Sequence, residues 1–446
     1  MWAALINVIV GIWLMLAPAY LHFDKTPATN YYIVGPLVIT FAITSLWEFN
    51  RSLRYFNLLG GFWMLVSILI LQYDSSAAIW STALSGTLLI VCSLVKGKQK
   101  GNYGGGWKTL FDNDDKFFKD KVVVITGASG GVGRVVAWEF ARQEAKVVLI
   151  ARDELQLQGA AKEVEVYGGT PFIIQCDIAD HVSLQKSLER IEREVGPIEV
   201  LVNNAMNSVF APFRKVTPEE FKRVTEVTYL GTVYCTSIVL NWMQQRNRGS
   251  IVFVGSALAY RGIPLQSAYC GAKHGIQGFY DSLRTELMHD KSSVKTCMVQ
   301  LPAMDTTQFG WVLSKLPNKA QPMGKIYTPE VAARSILFAA KHNRREILVG
   351  FPSYKAIVGN KIAPWYADWV LARTGIKGQQ TNEPADPDRK HNLWEPVGED
   401  RGAYGGFEDQ SHDFSFTLWI SMNRTLVRLT ALMAMTGLAA WLFLWL

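Results

Sequence analysis

The first 95 residues hold four apolar runs, at 2–21, 31–47, 58–71 and 77–95, separated by short polar turns and nearly free of charge. A helix that crosses a bilayer needs about 20 apolar residues, within a range of roughly 17–25. The first, second and fourth runs meet that length. The third does so when Tyr55 and Phe56, or Gln72 and Tyr73, carry it into the headgroups. The expectation is a four-helix transmembrane bundle, against the alternative of four helices buried in a soluble core. A cleaved leader does not fit, because no positive residue precedes the first run and three more runs follow it. The 15 Trp suit a chain that meets a membrane interface.

This region repeats itself. Asn7, Gly11 and Trp13 return at the same spacing as Asn57, Gly61 and Trp63; Asp24 is matched by Asp74, and Gly35 by Gly86. Two copies of a helix–loop–helix unit are implied, with small residues that let helices approach and Asn side chains that can bond across them. The pattern resembles the SPW-repeat membrane family, although the motif itself has become Ala17-Pro18-Ala19 in the first copy and is absent from the second. That resemblance implies a membrane module without chemistry of its own. No Asp, Glu, His or Lys lies deep in a run, which argues against an ion path.

Basic residues set the expected orientation. Arg51 and Arg54 follow the second run and Lys96, Lys98 and Lys100 the fourth, whereas the other two loops hold only Lys25. The positive side is the cytoplasmic side, so everything after Val95 belongs there, as in a bacterial inner-membrane protein. Residues 96–116 read as a basic, Gly-rich linker that is either a tether touching anionic headgroups or a solvated flank. A last apolar run, 429–446, follows Arg424 and Arg428. It reads as a C-terminal transmembrane helix; lying in the membrane plane or against the first four helices are the alternatives.

Residues 117–350 alternate strand and helix. Strands are expected at 121–126, 146–152, 171–177, 198–205, 249–256, 294–302 and 346–350, mostly as continuous Val/Ile/Leu runs. Such runs belong to a sheet covered on both faces. The fold class is therefore α/β, a Rossmann-type doubly wound parallel sheet with a cleft at the carboxyl ends of its strands. The first strand ends in Gly127-Ala-Ser129-Gly-Gly131-Val132-Gly133, with a helix expected from about Arg134. Glycines there allow a tight turn and close approach to a pyrophosphate, and the helix N-terminus offers free N–H groups to that anion. The second strand ends in Ala151-Arg152 where an NAD-binding fold carries a carboxylate. Arg152 can pair with a 2′-phosphate, so NADP(H) is favoured over NAD(H). Asp153 lies one residue too far into the loop to restore NAD binding. The alternative is a surface arginine and a mixed preference.

Asn203-Asn204-Ala205 follows the fourth strand. Ser256 ends the fifth, twelve residues stand between it and Tyr269, and Lys273 lies one helical turn further on. Together with the glycine turn these motifs resemble the short-chain dehydrogenase/reductase family over about residues 118–350. The resemblance implies that Tyr269 exchanges the proton, that Lys273 lowers its pKa and binds the nicotinamide ribose, and that Ser256 bonds the substrate oxygen. A phenol with an ordinary pKa of about 10 needs such help at neutral pH. The resemblance also sets Asp177 and Ile178 beside the adenine, Asn203 near its ribose with Ala205 next to it, and Thr306 on the nicotinamide carboxamide. Residues 307–327 become a lid whose Phe309, Trp311, Val312 and Leu313 either suit a bulky apolar substrate or pack the lid shut.

Three departures stand out. Met206 and Ala303 replace family glycines. Thr228 stands where the family carries an Asn that holds a water in its proton relay, so Thr228 enters the catalytic set with a different reach.

Beyond the last strand, 355–374 is amphipathic and either docks on a membrane, covers the active-site mouth or packs on the catalytic domain; 378–413 reads as an irregular acidic Pro/Gly segment. The domains expected are thus 1–95, the linker 96–116, the catalytic 117–350, the extension 351–416 and the last helix 417–446. A net charge of +7 does not signify nucleic acid, because the basic residues form no stripe interleaved with aromatics. Five scattered cysteines exclude a disulfide framework, and no metal-ligand spacing occurs. The expectation is a membrane-anchored NADP(H)-dependent oxidoreductase facing the cytoplasm. It interconverts a carbonyl and an alcohol on an apolar small molecule and forms homo-oligomers through its long helices, as the resemblance implies. The alternative is a membrane-bound NADP(H)-binding scaffold or sensor without turnover.

Overall fold

Glycine meets glycine twice in the N-terminal helices. The computed structural model describes residues 2–46, 52–71, 73, 75–95, 116–424 and 427–428. It divides into two units, Met1–Asp115 with Arg424–Leu446, and Lys116–Asn423. The first unit contains α1 (Trp2–Leu21), α2 (Lys25–Thr44), α3 (Arg54–Ile70) and α4 (Ser76–Leu94). A Cβ on Gly11 would stand 2.9 Å from the Gly35 carbonyl, and one on Gly61 would stand 2.8 Å from the Gly86 carbonyl. The repeat read from sequence is thus one helix-pair contact made twice. The repeated tryptophans cross over: Trp13 Nε1 donates to Ser81 Oγ at 3.0 Å and Trp63 Nε1 to Asn30 Oδ1 at 2.8 Å. The repeated asparagines differ. Asn7 donates to Ser93 Oγ at 3.3 Å, but the residue that stands to Gly35 as Ser93 does to Gly86 is Ala42, and Asn57 has no partner among the described residues.

This unit has its polarity inside. Asn7, Asn57, Ser67, Thr82 and Ser85 are buried, while Leu5, Ile9, Leu16, Leu69, Trp80 and Leu84 are exposed. Among the described helices, α1 and α4 are long and apolar enough to cross a membrane. α2 is not among them, since it starts at Lys25 and takes in Thr26, Thr29 and Asn30; α3 has 17 residues. Arg51, Asp74, the linker 96–115 and the last run 429–446 lie outside the described residues.

The second unit carries the expected sheet. Its strands are β1 (Val122–Thr126), β2 (Lys146–Ala151), β3 (Thr170–Gln175), β4 (Ile198–Asn203), β5 (Ser250–Ser256), β6 (Lys295–Leu301) and β7 (Glu346–Leu348). The order is β7-β6-β5-β4-β1-β2-β3, with every neighbouring pair parallel. All seven expected strands form, each shorter than expected, with β3 starting one residue early at Thr170. Helices α5 (Gly131–Ala141), α6 (Glu154–Val166) and α7 (His181–Glu194) follow β1, β2 and β3. Next come α8 (Pro218–Thr225), α9 (Gly231–Gln245), α10 (Ser267–His289) and α11 (Pro329–Lys341). One face of the sheet is covered by Val135, Phe140, Leu157 and Ile336, the other by Leu188, Val239, Ile276 and Tyr280. Strand order reverses between β1 and β4, which opens a crevice at their carboxyl ends. After β7 the chain forms α12 (Gly350–Ile362), α13 (Pro364–Thr374) and α14 (Phe416–Met422), with a long connection before α14. The five cysteines are free and buried.

Candidate active site

The turn after β1 is built on left-handed glycines, Gly127 at φ +64 and Gly131 at φ +55. Helix α5 starts at Gly131, three residues before the expected Arg134, because the turn itself delivers the chain into helix. A Cβ at Gly133 would stand 2.1 Å from the Gly127 carbonyl, so this glycine serves helix-on-turn packing and does not line the crevice. Asn204 Nδ2 fastens the turn by donating to the carbonyls of Thr126 and Gly127 at 3.0 and 3.1 Å.

The crevice holds a cavity of about 460 Å³. Of the residues singled out from sequence, Gly127, Ser129, Gly131, Val132, Arg152, Asp177, Ile178, Ala205, Ser256, Tyr269, Lys273 and Thr306 line it. Asn203 does not. Its amide points beneath the sheet end and donates to Thr236 Oγ1 at 2.9 Å. Nor does Thr228. Fully buried in a single π-turn after α8, its hydroxyl accepts from Asn207 N at 2.9 Å and donates to Asn207 O at 3.1 Å. Both bonds go to the main chain of one residue, so the hydroxyl braces Asn207 in this structure.

Ser256 ends β5, and Tyr269 and Lys273 stand one turn apart on α10. Burial holds the Tyr269 phenol well above its ordinary value and outweighs the nearby Ser256 hydroxyl, which draws it down. Burial pushes Lys273 down to about 8. Its ammonium donates to Val254 O at 2.7 Å and stands 5.5 Å from the centre of the Tyr269 ring. Burial moves both groups toward their neutral forms.

A family model for short chain dehydrogenases matches residues 121–315. An uncharacterized oxidoreductase of Bacillus subtilis, YxnA, is 30% identical over 282 residues, which are 63% of this chain and 79% of that one. The chain belongs to the short-chain dehydrogenase family. The 17-beta-hydroxysteroid dehydrogenase 13 of Rattus norvegicus is 31% identical across 52% of this dehydrogenase and 75% of its own length. The 3-dehydrosphinganine reductase of Danio rerio is 35% identical across 45% and 60%. Ahead of this oxidoreductase domain, a model of the SPW repeat domain matches residues 1–96.

Sequence reasoning missed how the dehydrogenase closes the crevice beside β2. Residues 389–407, within the acidic Pro/Gly segment 378–413 expected to be irregular, form a strap across the crevice. Arg152 donates to the carbonyls of Trp394, at 2.6 Å, and Asn392. Buried Arg134 on α5 pairs with both Glu163 and Asp400. Asp153 caps α6 through Gln156 N and accepts from Gly398 N at 3.0 Å. Leu393 is fully buried among Val209, Ala211 and Val224, and Asn392, Pro396 and Val397 line the cavity. An isolated Leu-Trp pair inside a polar segment was the available signal.

The strap also holds the lid. Arg389 donates to the carbonyls of Phe309 and Val312 at 3.0 and 2.6 Å, Arg401 to that of Gly310 at 2.9 Å, and Asn392 N to that of Trp311 at 2.8 Å. Phe309 and Trp311 line the cavity, whereas Val312 packs with Phe210, Leu265 and Leu316. The groups around the glycine turn fit a phosphate-bearing cofactor. The first N–H groups of α5 have no helical acceptor. Thr307 Oγ1, on the same cavity wall, is buried without a partner among the described residues.

Proposed function

We propose that this short-chain dehydrogenase is anchored in a bilayer and interconverts a carbonyl and an alcohol on a lipophilic substrate, with NADP(H) as cofactor. The observation that carries the reading is the meeting of Ser256, Tyr269 and Lys273 in one cavity with the glycine turn. A nicotinamide cofactor, when bound, supplies or accepts the hydride. The turn from Gly127 to Val132 and the N-terminus of α5 would hold its pyrophosphate, Asp177 and Ile178 its adenine, Thr306 and Lys273 its nicotinamide end. Arg152 keeps its positive charge while bonded to neutral carbonyls, which supports a 2′-phosphate at that wall. Asp153, spent as a helix cap and on the strap, is poorly placed to serve a ribose hydroxyl.

Ser256 would orient the substrate oxygen, and Tyr269 Oη would pass it a proton in reduction and recover it in oxidation. Burial keeps that phenol protonated, the form that reduction consumes. Lys273, tied to Val254 O, brings a cation within 5.5 Å of the ring and offsets charge that develops on the phenol oxygen.

Three observations support the membrane and the lipophilic substrate. The N-terminal unit has polar groups inside and apolar groups outside, the arrangement lipid selects. Leu258, Ile263, Phe309, Trp311 and Met323 give the cavity apolar walls. Two relatives are named for a hydroxysteroid and for dehydrosphinganine. The basic residues after the second and fourth runs favour a cytoplasmic catalytic domain, as in a bacterial inner membrane.

The test is oxidation of NADPH by the full-length protein in nanodiscs, against a panel of steroid ketones, long-chain ketones and small aldehydes. Turnover that vanishes in Tyr269→Phe is the expected result. Tight NADPH binding with no carbonyl turned over would instead mark a non-catalytic sensor.

A further inference from the structure

Helix α13 has no buried residue, yet it carries two tryptophans and a tyrosine. Trp365 is 71% exposed, Tyr366 54% and Trp369 51%; the rings of Tyr366 and Trp369 stack with centres 5.8 Å apart. Helix α12 repeats the pattern. Its inner face holds Ser353 and Ile357, and its outer face shows Phe351, Tyr354 and Ile362, all half exposed or more. The helices are not loosely attached, since Asn360 Nδ2 donates to Tyr260 O at 2.8 Å and Asp368 pairs with Arg261. A firmly held pair of helices that turns its aromatic side outward is built to be covered.

Charge identifies the cover. Lys355, Lys361, Arg373 and Lys377 of the same segment are exposed, and the Arg373 guanidinium stands 4.0 Å from the centre of the Trp369 ring. The one acid between residues 350 and 379 is Asp368, already paired with Arg261. Exposed aromatic rings and cations on one segment match the headgroup layer of an anionic bilayer. The chain supplies a second reason. α14 packs on α12 and leads into Arg424, Arg428 and the apolar run 429–446, so the exit of the catalytic unit lies beside this face. The third concerns substrate: Pro352, Ser353 and Ala356 of α12 line the active-site cavity.

We propose that the outer face of α12 and α13 docks on the anionic lipid surface and that the mouth of the cavity opens against it, so that apolar substrate passes from lipid to Tyr269 without crossing water. The docking goes beyond the proposed reaction and does not need it; the delivery of substrate rests on that reaction.

Because the five native cysteines are buried, a single engineered one can be labelled. Full-length Trp365→Cys carrying an environment-sensitive fluorophore is reconstituted in vesicles of equimolar phosphatidylcholine and phosphatidylglycerol, with nitroxide-headgroup lipid as quencher. Val166→Cys is the comparison: it is 82% exposed at the end of α6, before β3 starts, on the opposite edge of the sheet from α12. The expected result is quenching at 365 and none at 166. Replacing Lys355 and Lys361 with Gln lowers the docked fraction, roughly fivefold in the docking equilibrium for each charge removed. A label at 365 that escapes the lipid quencher, or is shielded from it by a second copy of the chain, overturns the proposal. So does equal quenching at both positions. Delivery is read separately. Trp365→Ser with Trp369→Ser slows reduction of a vesicle-embedded ketone and leaves a small aldehyde unaffected; equal loss on both overturns delivery. Should no carbonyl be reduced at all, the proposed reaction fails while the quenching result still decides docking.

Discussion

Arg152 donates to the carbonyl of Trp394 at 2.6 Å, across 242 residues of chain. The bond joins the end of β2, where a dinucleotide fold discriminates its cofactor, to a segment outside the fold's usual span. Arg152 is thus positioned by the strap. Neutral carbonyls orient a guanidinium without cancelling its charge, and its remaining N–H groups stay available to an anion. Arg152→Ala should raise the KM for NADPH about tenfold or more, the loss of one charge-assisted hydrogen bond. The KM for NADH should change little. Steady-state kinetics with both cofactors checks this, and equal effects on both would remove Arg152 from discrimination.

The strap should come loose when its ion pair is cut. Arg134 is 3% exposed and divides its guanidinium between Glu163 and Asp400. Asp400→Ala leaves a buried cation with half its partners and should cost about 2–3 kcal/mol. Leu393→Ala, which empties a fully buried site, should cost a similar amount, about 2–5 kcal/mol. Both variants should show a lower Tm and new proteolytic cleavage within residues 389–407. Unchanged protection would mean that the strap is held by its remaining contacts.

How much of this was legible in sequence depended on periodicity and on local spacing. The seven strands could be read because each is a run of apolar residues flanked by turns. Tyr269 and Lys273 could be placed together because one helical turn separates them, and Ser256 joined them only through the family resemblance. Arg152 was recognised, but its partners 240 and 242 residues away were not, since nothing local to Asn392 or Trp394 announces a main-chain acceptor. The bonds of Thr228 to Asn207 were not legible for a related reason. Alignment gives a position, and the direction of a hydroxyl follows from the π-turn that carries it. The second run is less apolar as a helix than as a stretch of sequence, because the helix begins earlier and collects Lys25, Thr29 and Asn30.

Thr228 now makes its own prediction. As a brace for Asn207, it needs a hydroxyl and little else. Thr228→Ser should keep Tm and turnover near their original values. Thr228→Val leaves the Asn207 N–H unsatisfied and should cost about 1–3 kcal/mol. Thermal unfolding beside NADPH turnover separates this from a relay role, in which turnover would fall in the Ser variant without loss of Tm.

Lys273 ties stability to pH in a direction that can be worked out. Its folded pKa, pushed down to about 8, lies below its ordinary value of 10.5 because burial disfavours the ammonium. Below pH 8 both folded and unfolded chains carry the proton, and the folded state bears the full penalty, on the order of 3 kcal/mol. Between pH 8 and about 10 the unfolded chain holds more of this proton than the folded one, so stability from this group rises with pH. Tyr269 works the other way only above about pH 10, where the unfolded phenol ionises and the buried one does not. The window from 8 to 10 therefore separates the lysine from Tyr269, and the other groups that titrate there are common to wild type and variant. Lys273→Met removes the penalty and also the bond to Val254 O. The Tm of the wild type minus that of Lys273→Met should climb steadily from pH 8 to pH 10, while NADPH turnover by the variant is lost. A difference that stays flat across that window would show that the amine meets a compensating negative charge in the folded protein, and the balance of burial over charge at Tyr269 would then have to be drawn the other way.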